Sequence, residues 1–101
     1  MSFKDFVTDH RRLFILQLLN EVGGEASEGI VYDVCRRHFV PNRGLTRDAL
    51  HDDLEWLRER HLVAFDWLDD TVLVVKLTER GGYVVSGDIE VDGVTRPRRN
   101  G

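Results

Sequence analysis

The segment LTRDALHDDLEWL, from Leu45 to Leu57, is the part of the sequence most informative about the fold. Its apolar stripe consists of Leu50, Leu54 and Leu57. Positions i, i+4 and i+7 lie on one face of an α-helix. Thr46 precedes the stripe and is a residue type that accepts hydrogen bonds from the first turn of a helix. The sequence therefore predicts a helix that begins after Thr46, ends near Arg60 and buries its leucines.

Two further helices are predicted before this stretch. The first extends from about Lys4 to Glu21 and ends at the stop signal Gly23-Gly24. The second follows Ser27, a plausible N-cap, and ends near Phe39, because Pro41 cannot continue a helix. The side chains predicted to face the core are Phe6, Leu13, Leu16 and Leu19 in the first helix, and Ile30, Val31, Val34 and Cys35 in the second.

After His61 the pattern changes from helical to β-rich. Residues 62–67 and 71–77 are two β runs of similar length around the short acidic turn Asp69-Asp70, which predicts a hairpin. Trp67 alternates with Phe65, so we expect both rings to pack on one face. Thr78 then caps a short helix over residues 79–86. The remaining residues form a tail that could add a strand at residues 89–91.

Two later phrases, Arg60-His61-Leu62-Val63 and Leu77-Thr78-Glu79-Arg80-Gly81, complete a pattern that resembles a winged helix-turn-helix domain. The resemblance covers residues 5–86. It implies an α+β fold of three helices, a two-stranded wing and a short C-terminal helix, with a domain at residues 1–87 and a tail at residues 88–101.

A closer likeness rests on Asp9-His10-Arg11-Arg12-Leu13, on the stretch from Thr46 to Leu57 and on Gly93-Val94-Thr95-Arg96-Pro97. These segments look like those of small proteins from Mu-like phages and prophages, which are commonly described as winged-helix or ArsR-like regulators. The likeness implies a DNA-binding transcriptional regulator. ArsR metal sensors carry paired thiolates on a helix, whereas this chain has only Cys35, so metal sensing is not implied.

The composition limits what the chain can do. It has 101 residues, enough for one domain, and a formal net charge of −4. Any DNA-binding surface must therefore be local, since most of the molecule repels phosphates. No apolar run is long enough to span a bilayer, the N-terminus does not resemble a signal peptide, and one cysteine cannot form a disulfide framework. We expect a cytoplasmic protein of a bacterial host.

The predicted third helix has an acidic outer face and a basic flank. Its face opposite the leucine stripe consists of Asp48, Asp52, Glu55 and Glu59. Four carboxylates oppose deep insertion into a DNA groove. The cations lie to one side, so double-stranded DNA would be reached by that edge and by the tail. The candidate DNA contacts are Arg43, Thr46, Arg47, His51, Arg58, Arg96, Arg98 and Arg99.

An alternative function uses the acidic face itself. A basic protein partner could dock on Asp48, Asp52, Glu55 and Glu59, with Trp56 as an anchor. The other possibility for Trp56 is that it packs under the hairpin.

A second stripe on the first helix, Val7, Phe14 and Leu18, could form a homodimer or be buried beneath the C-terminal segment. We expect no enzyme, no cofactor and no metal site, because the four histidines are scattered and no phosphate-binding loop is present.

Overall fold

The computed structural model describes residues 3–39 and 45–98, apart from the side chain of Lys4. This part of the chain is an α+β fold of four helices and one antiparallel sheet. Its elements are α1 (Phe3–Glu21), β1 (Glu25–Ser27), α2 (Glu28–His38), α3 (Arg47–Glu59), β2 (Val63–Leu68), β3 (Val72–Leu77) and α4 (Glu79–Ser86). Among the described helices, none combines the length and hydropathy that crossing a bilayer requires.

Three hydroxyl caps fix where the helices begin, as the sequence predicts. The side chain of Ser27 accepts a hydrogen bond from the backbone N–H of Ile30 at the start of α2. Thr46 accepts from Ala49 at the start of α3, and Thr78 accepts from Gly81 at the start of α4. Each cap satisfies a backbone donor that has no partner within its own helix.

The sheet has the order β1-β3-β2, with both pairings antiparallel. The predicted hairpin is confirmed as β2 and β3, which pair from Val63↔Leu77 to Leu68↔Val72. Asp69 and Asp70 form its turn, with φ of 51° and 57°. Strand β1 was not predicted, because its three residues are too few to show an alternating pattern.

The leucine stripe of α3 lies at the centre of the core, as predicted. Leu50, Leu54 and Leu57 are fully buried in a core cluster that also contains side chains from α1, α2 and the sheet. The other core side chains are Leu13, Ile15, Leu16, Leu19, Val31, Cys35, Leu45, Leu62, Val63, Leu73, Val75, Val84 and Val94.

Three apolar side chains predicted to pack inward are exposed instead: Phe6, Ile30 and Trp67. Phe6 lies in the first turns of α1, where its ring stacks on His10 at 5.8 Å. Ile30 lies in the first turn of α2. Burial decreases along β2 towards the hairpin turn, so Trp67 extends beyond the core. At these three sites, a position near the end of a helix or strand determines the exposure of the side chain more strongly than helical or strand periodicity does.

The tail packs against the helices without forming the predicted strand at residues 89–91. Val94 is buried, and Ile89 and Val91 pack against the core. The backbone N–H of Thr95 donates to the carbonyl of Asp9 in α1 at 3.3 Å. Gly93 adopts a φ of +95°, which allows the tail to turn onto the ring of Trp56.

Candidate nucleic-acid interface

The start of α3 lies beside α2 and carries two of the predicted DNA contacts. Thr46 is the exposed N-cap, and Arg47 is the first helical residue, with 59% of its side chain exposed. The Nη1 atom of Arg47 lies 3.2 Å from Oε1 of Glu28, and Nε2 of His51 lies 3.8 Å from Oε2 of Glu28. A single carboxylate of α2 therefore faces both candidate cations.

An aromatic ring brings a second arginine to the same place. The guanidinium of Arg47 lies 4.8 Å from the centre of the Tyr32 ring, and that of Arg36 lies 5.9 Å from it. We call Arg36, Arg47, His51 and Tyr32 the basic corner. The sequence reasoning missed Arg36 and its exposed neighbour Arg37. A spacing of four residues between Tyr32 and Arg36 on one predicted helix was the available signal.

Arg58 is separate from the basic corner. It lies eleven residues after Arg47, which corresponds to about 16 Å along a helix. Its Nη2 atom is 2.5 Å from Oε2 of Glu55, and its guanidinium lies 5.2 Å from the centre of the Phe65 ring. The hydrogen bond to Glu55 raises the pKa of the Arg58 guanidinium. The predicted basic flank is therefore not one continuous strip, because Arg58 lies at the far end of α3 and is paired with Glu55.

The tail contributes one paired and one exposed arginine to the candidate contacts. The guanidinium of Arg96 lies 3.0 Å from the carboxylate of Glu90. Arg98 is exposed. Arg43 and Arg99 lie outside the described residues.

The acidic face of α3 is present as predicted. Asp48, Asp52 and Glu59 are exposed, and no described cation lies within ion-pair distance of them. Glu55 is the member that pairs with Arg58. The face therefore keeps most of its negative charge.

Trp56 is half-buried against α1 and the tail and does not lie under the hairpin. Its ring lies between two guanidinium groups, that of Arg12 at 3.9 Å and that of Arg60 at 3.7 Å from the ring centre. Gly93 covers the ring so closely that a Cβ there would lie 2.5 Å from Cζ2. The prediction that Trp56 packs under the hairpin is wrong, because α1 and the tail reach this side of α3.

Asp53 is a charged residue that the sequence reasoning missed. It is 2% exposed, and its carboxylate lies 2.5 Å from Nε of Arg11 and 3.3 Å from Nε of Arg12. Helical geometry was the available signal, since Asp53 lies only about 60° from the leucine stripe. This buried cluster attaches α3 to α1, so we assign it to the scaffold.

The proposed dimer stripe on α1 is partly covered by the chain itself. The ring of Phe14 stacks on His38 at 4.0 Å and meets Phe39 edge-on at 5.3 Å. Leu18 packs against the core, and Val7 is half-buried. In the described part of the chain, no group of three His, Cys, Asp or Glu side chains could hold a metal ion.

Comparisons with known proteins link the chain to phages. No family model matches it. It is 39% identical over 94 residues to the uncharacterized protein gp26 of Escherichia phage Mu, an alignment that covers 93% of this chain and 94% of that protein. It is also 34% identical over 80 residues to an uncharacterized protein of Haemophilus influenzae, covering 79% of this chain and 76% of the relative.

Proposed function

We propose that this chain, which belongs to the same family as gp26 of phage Mu, is a phage or prophage DNA-binding protein of winged-helix architecture that regulates transcription. The order of its elements and the sheet order β1-β3-β2 support this architecture. In such a domain α2 and α3 form the helix-turn-helix, and the β2–β3 hairpin is the wing.

The observation that carries the proposal is the pair of guanidinium groups on Tyr32. The ring contacts Arg36 and Arg47 and so restricts where both cations lie, which reduces the entropy lost when they bind phosphate. The N-terminus of α3 adds a partial positive charge at the same place. The basic corner therefore suits a phosphate backbone.

The acidic face determines how DNA would be approached. A carboxylate 4 Å from a phosphate costs about 4 kcal/mol at an effective dielectric constant of about 20. Deep insertion of α3 would bring Asp48 and Asp52 close to that distance. We therefore expect contact through the edge formed by α2 and the start of α3, dominated by phosphates and weakly specific for sequence.

Single substitutions at the basic corner test this proposal. Arg36→Gln and Arg47→Gln should each weaken binding to a fluorescent duplex from the phage genome by about fivefold, measured by anisotropy. Arg80→Gln removes the same charge from α4 and serves as the matched control. Equal effects of all three substitutions would indicate a response to net charge alone and would contradict the proposal.

The proposal includes a homodimer, because two half-sites multiply a modest affinity. Val7 and Leu18 of α1 are the contacts, while Phe14 is engaged by His38 within the chain. Sedimentation equilibrium of wild type and Val7→Asp tests this part. A wild-type protein that stays monomeric with and without DNA would contradict it.

A second function is favoured by the unpaired acids of α3, which suit docking of a basic protein partner. Asp52→Lys combined with Glu55→Lys separates the two functions. If α3 lies near DNA, this variant binds the duplex more tightly than wild type. If the acidic face docks a protein, the variant loses a partner that wild type binds in phage-producing cells even at high salt. This loss does not depend on how tightly the variant binds DNA.

A further inference from the structure

The end of the β2–β3 hairpin exposes three large apolar side chains within six residues. Trp67 is 54% exposed, Leu68 is 52% exposed and Val72 is 44% exposed. Single apolar side chains on a surface are ordinary, whereas a cluster of three on one short segment is typical of an interaction site. We call residues 66–72 the hairpin tip.

The strand register shows that both faces of the hairpin tip are apolar. Trp67 pairs with Leu73, and Leu68 pairs with Val72. Successive side chains in a strand point to opposite faces, so Trp67 lies on one face while Leu68 and Val72 lie on the other. Leu73 is buried, which places Trp67 on the face that continues from the core. A tip of this kind fits into a cleft better than onto a flat surface.

Charge restricts the kind of partner that such a cleft can belong to. Three carboxylates, those of Asp66, Asp69 and Asp70, surround the apolar side chains. Lys76 neutralises Asp66 at 3.3 Å, and no described cation lies within ion-pair distance of Asp69 or Asp70. Anionic lipid headgroups and DNA phosphates would repel these acids, whereas lysine or arginine side chains would attract them.

We propose that the hairpin tip docks a second protein whose surface offers an apolar cleft rimmed by lysine or arginine. The side chains of Trp67, Leu68 and Val72 enter the cleft, and Asp69 and Asp70 pair with its rim. This inference goes beyond the proposed DNA-binding function, because it uses no residue of α2 or α3. The protein would then hold DNA at the basic corner and a protein partner at the hairpin tip.

The turn itself provides a substitution that removes the charge without disturbing the hairpin. Both turn residues are in the left-handed region, with φ of 51° and 57°, where Asn-Gly is the favoured pair. Asp69→Asn combined with Asp70→Gly should therefore preserve or increase stability. Trp67→Thr removes the large side chain and keeps a residue with high strand propensity.

The experiment uses the full chain and an amphipathic helical peptide of leucine and lysine as the probe. Wild type should bind this peptide with a blue shift of tryptophan fluorescence that the Trp67→Thr variant, which keeps only Trp56, does not show. Wild type should bind a leucine–glutamate peptide and a glycine–lysine peptide at least tenfold more weakly. The Asp69→Asn/Asp70→Gly variant and the Trp67→Thr variant should each lose about tenfold in affinity. Glu21→Gln combined with Asp33→Asn removes two exposed acids from α1 and α2 instead and should leave the affinity unchanged.

Several results would overturn the inference. They are failure of wild type to bind the leucine–lysine peptide, equal losses in the hairpin double variant and the Glu21→Gln/Asp33→Asn control, and Trp67-dependent binding to vesicles of anionic lipid or to duplex DNA. Duplex binding of the Asp69→Asn/Asp70→Gly variant is measured in parallel. It should change by less than about twofold if the basic corner contacts DNA, so failure at the hairpin tip and failure of the DNA-binding proposal remain distinguishable.

Discussion

The guanidinium of Arg47 and the carboxylate of Glu28 form an ion pair at 3.2 Å across the junction of α2 and α3. Glu28 also faces His51 at 3.8 Å, so this one carboxylate competes with phosphate for two groups of the basic corner. Its side chain is mostly buried while that of Arg47 is largely exposed. Glu28 therefore acts as an internal counter-ion that limits attraction to DNA.

Removing this counter-ion should strengthen DNA binding. We expect Glu28→Gln to tighten binding to a duplex by about fivefold, because an exposed ion pair of this kind is worth up to ~1 kcal/mol. Anisotropy titration measures the effect. Asp33→Asn removes the same charge from an exposed position on α2 and serves as the control. An equal gain in that variant would show that the effect comes from net charge and not from the ion pairing of Glu28.

The buried carboxylate of Asp53 should be essential for stability. Asp53→Asn removes the buried negative charge that pairs with Arg11 and Arg12, and we expect it to lower the free energy of unfolding by about 3 kcal/mol. Asp52→Asn changes the adjacent, exposed residue and should alter stability by less than about 0.5 kcal/mol. Urea unfolding of both variants tests the contrast, and similar values for the two would refute the assignment of Asp53 to the scaffold.

The contrast between Asp52 and Asp53 shows which features of the fold can be predicted from the sequence alone. The caps at Ser27, Thr46 and Thr78 and the leucine stripe depend on residues within seven positions of one another, so local patterns predict them. The pairing of Asp53 with Arg11 and Arg12 joins residues more than forty positions apart, and only the packing of α1 on α3 reveals it.

The residues of the candidate site likewise divide into those that local sequence patterns predict and those that only the packing of the helices reveals. Arg47 and His51 were identified because they flank one predicted helix. Arg36 was missed, because its place beside Arg47 depends on how α2 meets α3 at Tyr32. Trp56 was misplaced for a similar reason, since Gly93 in the tail covers it, 37 positions later in the chain.

Two glycine substitutions should have opposite effects on stability. Gly93→Ala places a Cβ 2.5 Å from the Trp56 ring at a φ of +95°, and we expect a loss of about 2 kcal/mol. Gly82→Ala adds a Cβ where nothing lies within 4 Å, inside α4, and should gain about 0.5 to 1 kcal/mol. Thermal unfolding compares the two, and a tolerated Gly93→Ala would contradict the close packing of the tail on Trp56.

The Cys35 thiol should be unreactive in the folded protein. Burial, which desolvates the thiolate, raises the pKa of Cys35 to about 12, so the thiol remains protonated at neutral and mildly alkaline pH. A thiol reagent such as DTNB should react with Cys35 at about pH 8 only after denaturation, because only the thiolate is nucleophilic. Rapid, stoichiometric labelling of the native protein would show that Cys35 is accessible and contradict its place in the core.

The salt dependence of duplex binding is the sharpest test of a DNA contact at the basic corner. Duplex affinity is measured by anisotropy between about 50 and about 200 mM salt, for wild type and for Arg36→Gln combined with Arg47→Gln. Three phosphate contacts predict a loss of about 40-fold for wild type over this range, and the double variant should lower the logarithmic slope by about 2. Absence of wild-type binding at the lowest salt, or the same slope in both proteins, would contradict a DNA contact at the basic corner.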